Sequence, residues 1–188
     1  MYVASVTESE ARITLDTMLE LANSLLDAGP GDADGGVDPR AVLADAGFSR
    51  AADASAASVR RVATRIEALL PFLSELPDLD TDTAAARVSE ELTEITITPV
   101  IVDHGGIGHH LHWTPSTATF DDQVLADMLM ALAWEVCDNG TIRFGRCAAD
   151  DCERLFYDST RNRSKRFCSD PRCASRTHTA DHRARKRV

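Results

Sequence analysis

RCAADDCERLFYDSTRNRSKRFCSDPRC, residues 146–173, holds four of the chain's five cysteines in two matched pairs. Cys147 and Cys152 form the first pair, Cys168 and Cys173 the second, and the whole reads C-x4-C-x15-C-x4-C. Tetrahedral zinc is held by thiolate pairs presented on tight turns with a loop between them, and this spacing fits that layout. The segment is poor in aliphatic residues, so it cannot bury enough apolar surface to fold alone. Metal binding supplies the missing free energy, ~10–16 kcal/mol in zinc-finger peptides. The alternatives are two disulfides or unrelated thiols. Disulfides belong to oxidising compartments, and the opening MYVASVTESEARITL lacks the basic and apolar blocks of an export signal. Four thiolates close the coordination shell and leave no position for a reacting water, so one structural Zn2+ is expected. Cys137 stands outside the pairs at the end of an apolar helix and reads as a small core residue.

Downstream, Asp170-Pro171 offers an N-cap and first-turn proline, predicting a helix from Pro171 to about Lys186. At about 100° per residue, Arg172, Arg176, Arg183 and Arg187 fall within about 60° of one another, with Lys186 beside them. Cys173, Thr177, Ala180 and Ala184 form the neighbouring stripe, small enough to lie against a metal-bound body. The loop between the cysteine pairs adds Arg161, Arg163, Lys165 and Arg166. A helix ~10–12 Å across fits the major groove, and arginine bonds phosphate or guanine bidentately. The competing reading is a solvated charged helix in an arginine-rich sequence.

The charge distribution favours the first reading. Net charge is −10 over 188 residues. Residues 141–188 carry 13 Lys+Arg against 6 Asp+Glu, a net of +7, while residues 1–140 carry 7 against 24, a net of −17. A chain so polarised has one end suited to nucleic acid. No window approaches the ~18 apolar residues of a membrane span, and a cytoplasmic location is expected.

The acidic part reads as mostly helical. ITLDTMLELANSLLD places Leu15, Met18, Ala22, Leu25 and Leu26 at helical spacing before Gly29-Pro30, and GPGDADGGVDP is loop. Asp38-Pro39 starts a short helix ending near Gly47. SVRRVATRIEALLPFL carries Val59, Val62, Ile66, Leu69, Leu70 and Leu73 on one stripe, and a weaker helix covers Thr83 to Leu92. EITITPVIVDHGGIGHHLHW has the β-branched content and turn residues of a hairpin. A last apolar helix, with Leu125, Met128, Leu129, Leu132 and Val136 in register, stops at Asn139-Gly140. The fold class is therefore mainly α with a small β-hairpin (α+β). A helical domain spans 1–140, and a four-cysteine module spans 141–188. His104, His109, His110 and His112 invite a second metal site, but a hairpin tip gathers polar residues, and that is the reading adopted. His178 and His182 lie off the arginine stripe and read as solvated.

With these residues laid out, RCAADDCERLFYDSTRNRSKRFCSDPRCASRTHTADHRARKR resembles the C-terminal CGNR zinc finger of bacterial proteins whose N-terminal half is an ABATE-type helical domain. Phe156 and Asp158 match the family's Phe-x-Asp-x-Ser, with Thr160 where the pattern has Ser. Phe167, Cys168 and Ser169 match its aromatic-Cys-Ser. The signature Cys-Gly-Asn-Arg becomes CASR, keeping Cys173 and Arg176 but not the Gly and Asn. Upstream, LELANSLLD resembles the family's Leu-Val-Asn-Thr-Leu. The resemblance implies a transcription regulator, some members being linked to stress, with the finger on DNA and the helical domain sensing a small-molecule effector or mediating assembly, for instance as a homodimer. Zinc-stabilised binding of RNA or of an acidic protein is the alternative, and a third arrangement has the acidic domain mask the basic module. No Ser/His/Asp set, phosphate loop or paired carboxylate points to an enzyme.

Overall fold

The computed structural model describes residues 8–28, 37–48, 50–103 and 108–186. In chain order these form α1 (Glu8–Ala28), α2 (Pro39–Asp45), α3 (Ala56–Glu75), a 3-10 turn (Leu76–Asp78) and α4 (Thr81–Thr93). Then follow β1 (Val100–Asp103), β2 (His109–His112), α5 (Phe120–Asn139), β3 (Phe144–Arg146), β4 (Leu155–Tyr157) and α6 (Pro171–Arg185). The mainly helical α+β class expected from the sequence is the one observed.

Local signals set the helix ends. Asp38 accepts the Arg40 N–H, Ser55 accepts that of Ser58, and Asp80 accepts that of Thr83, each satisfying an orphan first-turn donor. Thr119 does the same for Asp122 and donates its hydroxyl to the Asp122 carboxylate. Gly140 ends α5 at φ +64°, and a Cβ there would collide with the Thr81 hydroxyl, so the stop doubles as a close packing point against α4.

α5 lies at the centre. Val124, Leu125, Ala126, Met128, Leu129, Ala131, Leu132 and Val136 are all buried, covering far more than one stripe. α1, α3 and α4 each pack against it, which is the environment a helix apolar nearly all round requires. The α3 stripe is Val59, Val62, Ile66, Leu69, Phe72 and Leu73; Phe72 takes the place expected for Leu70, which is partly buried. Cys137 corrects the sequence reading. It is exposed, on the α5 side shared with exposed Trp134, because the packed helices occupy the other faces.

β1 and β2 form the expected antiparallel hairpin, with Val100 opposite His112 and Val102 opposite His110. Its turn and His104 lie outside the described residues, as do the 29–36 loop and Arg187. A second antiparallel pair, β3–β4, was not foreseen. Phe144, Leu155 and Tyr157 from it are buried in the same cluster as α1, α3 and α5. The core therefore continues past Gly140 into the cysteine-bearing segment. Gly145 is required there, since a Cβ would lie 2.6 Å from the ring of Phe156, its cross-strand partner.

Candidate metal centre and basic surface

The β3–β4 turn carries the first cysteine pair. Cys147 follows β3 and extends the ladder through its N–H to the Arg154 carbonyl at 2.9 Å, and the Cys152 N–H closes the turn on Ala149 O at 3.1 Å. The second pair spans the entry to α6: Cys168 precedes it, and Cys173 sits in its first turn with its N–H on Asp170 O at 3.1 Å. A strap from the Ala148 N–H to Arg166 O at 2.8 Å draws the two halves together. All four Sγ atoms lie within 4.8 Å of one another. Cys152–Cys168 is 3.9 Å and Cys168–Cys173 is 3.7 Å. A tetrahedral tetrathiolate with Zn–S near 2.3 Å has sulfurs about 3.8 Å apart, so the donor set fits such an ion. Cys147, Cys168 and Cys173 are buried with Ala149, and half-buried Cys152 and Phe167 pack against them.

The surroundings act on the four thiols in opposite directions. Burial is the largest influence on each thiol, and it raises Cys152, Cys168 and Cys173 above the ordinary range. At Cys147 burial is outweighed by backbone N–H groups of Cys168 and Ala149, and that thiol is lowered. Further N–H donors face Cys152 from Arg154 and Cys168 from Asp170, and Arg176 Nη2 stands 3.5 Å from Cys173 Sγ. A divalent cation completes what these partial charges begin, and its binding releases protons.

Between the pairs, Asp158 organises the loop. Its buried carboxylate accepts the Thr160 N–H at 2.8 Å, the Thr160 hydroxyl at 2.6 Å and the Lys165 N–H at 2.8 Å. The Thr160 hydroxyl in turn accepts the Ser164 N–H at 2.9 Å, so a hydroxyl is needed at 160. Arg163 takes a left-handed φ of +50° at the tip. Arg161, Arg163 and Arg166 are thereby held outward and exposed, whereas Lys165 turns back to the Tyr157 carbonyl at 3.1 Å and over the Phe156 ring.

The remaining basic residues divide by partner. Arg143 approaches Glu135, Arg146 pairs with Asp78 at 2.7 Å, and Arg154 pairs with Asp27; these dock the segment on the helices. Arg172 is gripped by Asp170, with Nη2–Oδ2 at 2.7 Å, and Arg176 pairs with Asp151 at 3.1 Å. Both line a cleft of ≈ 590 Å³ beside Cys152 and Cys173 that also holds Asp27, Asp150 and Glu153. Arg183 and Lys186 are exposed further along the chain. His178 is exposed, edge-on to Phe167 at 5.6 Å.

Sequence reasoning missed two docking groups. Asn23 of α1 donates to Leu155 O at 2.9 Å and accepts the Leu155 N–H at 2.7 Å. Tyr157 donates its hydroxyl to buried Glu135 at 2.9 Å. The signal for Asn23 was a buried-register amide inside an apolar stripe.

Residues 143–186 match the model of the CGNR zinc finger family. No curated protein matches the chain.

Proposed function

We propose that this chain, with its CGNR zinc finger at residues 143–186, is a bacterial transcription regulator that binds DNA through a basic surface positioned by one structural Zn2+ on Cys147, Cys152, Cys168 and Cys173. The observation that carries the reading is the division of the cations. Arg161, Arg163 and Arg166 stand on a loop locked by Asp158, and Arg183 and Lys186 lie at the far end of α6, whose first turn holds a metal ligand. None of these five is in an ion pair recorded among the described residues. Such groups meet phosphates without first breaking an internal pair. Arg172 and Arg176, on the arginine stripe of α6, must exchange a carboxylate for DNA, so they serve as secondary contacts. The N-terminal region is assigned an ABATE-like role, sensing an effector or assembling a homodimer in the cytoplasm, and the chain is assigned binding rather than catalysis.

The test measures metal content and binding to random duplex DNA across a salt series on one sample. One zinc per chain, with log K falling against log salt at a slope of roughly −4.5, agrees with five phosphate contacts. Loss of binding on chelation completes the agreement. Zinc without DNA binding overturns it.

The pairing of Arg172 and Arg176 with carboxylates favours a second reading, in which the finger meets RNA or an acidic protein. Competition separates them: heparin, structured RNA and duplex DNA displace equally where only charge is recognised.

A further inference from the structure

The geometry points to a second metal site, for a divalent transition-metal ion, on the β1–β2 hairpin at His110 and His112. The two side chains occupy one face of β2, at alternate positions, and their Nε2 atoms approach to 3.1 Å. The rings are tilted at 51° with centroids 5.0 Å apart, so the nitrogens converge while the rings do not stack. Two imidazole nitrogens on one ion at about 2.05 Å stand about 2.9 Å apart at a right angle and about 3.3 Å apart at the tetrahedral angle. The observed separation lies between these.

The protonation pattern also suits a metal. His110 Nδ1 lies 2.8 Å from the Gly108 carbonyl. A carbonyl only accepts, so Nδ1 carries the proton and Nε2 presents its lone pair toward His112. Donation of the remote ring N–H to a backbone carbonyl is the usual support of a metal-bound imidazole. In the absence of an ion, His112 donates its Nε2 proton across the gap. On binding, the proton between the rings leaves His112 Nε2, and both Nε2 lone pairs face the cation.

The placement is separate from the cysteine centre. Val100 and Val102 stand opposite His112 and His110 in the register, giving both histidines an apolar flank on the half-buried side of the hairpin. His109 is exposed on the opposite face, level with Asp103. Imidazole pairs suit Zn2+, Ni2+ and Cu2+; Ni2+ and Zn2+ are the appropriate probes, since copper oxidises thiols.

The test titrates Ni2+, and separately Zn2+, into the full chain already carrying one zinc, by calorimetry. One further equivalent is expected. Loss of a remote-nitrogen partner costs a metal site ~10–100-fold, so His110→Ala and His112→Ala should each weaken the extra equivalent by at least about tenfold. His109→Ala should leave it unchanged, and circular dichroism checks each variant's fold. Independently of any variant, 15N spectra of the wild-type imidazoles should show both Nε2 signals move with added Zn2+ while His109 stays. The proposal is overturned if no further equivalent binds, if it survives in the double variant, or if the two Nε2 signals are unmoved, the last meaning a shared proton only.

Discussion

Two apolar clusters hold this molecule, and they are built from opposite materials. The larger joins α1 to α5 with Phe144, Leu155 and Tyr157, and its fully buried members include Phe72, Ile66, Met18, Met128, Val62 and a set of leucines. The smaller consists of Cys147, Cys168, Cys173 and Ala149, with Cys152 and Phe167 at its edge. The first holds itself together by excluded water. The second has too little carbon to do so and depends on sulfur and an ion. The finger belongs to both: its strands are anchored in one and its turns in the other.

The largest expected effect separates the two. Chelation, or Cys173→Ser, should unfold α6 and the turns while α1 to α5 persist, because metal binding in such modules is worth ~10–16 kcal/mol. Hydrogen exchange would show protection lost in the Cys147–Cys152 turn and after about residue 166; retained protection in α6 would mean that packing alone suffices. Next, Phe72→Ala should cost about 3–5 kcal/mol of global stability, read as a lower denaturation midpoint with metal stoichiometry intact in the folded protein. A finger that loses metal at the same denaturant concentration would show one cooperative unit instead of two. Asn23→Ala probes the seam. It strands both backbone groups of Leu155, at ~1–3 kcal/mol each when buried, and should raise exchange at the Leu155 amide with zinc content unchanged.

The smallest effects have opposite signs in pH. Burial pushes Asp127 of α5 up to about 7. A carboxyl raised in the folded state is ionised first in the unfolded chain, so the helical region should lose stability as pH climbs from about 4 to about 7. Asp127→Asn should flatten that slope. At Asp158 burial opposes ionisation, but the Thr160 hydroxyl, its N–H and the Lys165 N–H together hold the carboxyl below the ordinary value. The loop's stability is thus present above the usual carboxylate range and lost as pH falls through the depressed value. Exchange at the Thr160 amide reads it, and Asp158→Asn should remove the acid dependence.

Much of this was legible in the sequence, for physical reasons. The α1, α3 and α5 stripes repeat at helical period, Asp38-Pro39 and Asn139-Gly140 are local start and stop signals, and four cysteines at matched spacing need no tertiary information. What escaped was nonlocal. β3 and β4 are three residues each, too short for a period, and their burial depends on α1 passing beside β4 and the 3-10 turn beside β3. The arginines were legible as charge but not as partners, because Asp151 meets Arg176 from 25 residues away. Cys137 was misread because helical register alone does not say which faces of a central helix are covered.

The bond from Asn23 to Leu155 has a further consequence. β4 is the last strand of a two-stranded sheet, and such a strand offers its outer amide and carbonyl to any passing extended chain. The Asn23 side chain fills both places with a carboxamide, a peptide-like group that can pair but cannot propagate. Replacing it would do more than weaken a seam. It would leave an adhesive margin on a protein whose finger is already poor in apolar cover, and self-association would become a competing fate for every copy awaiting its metal.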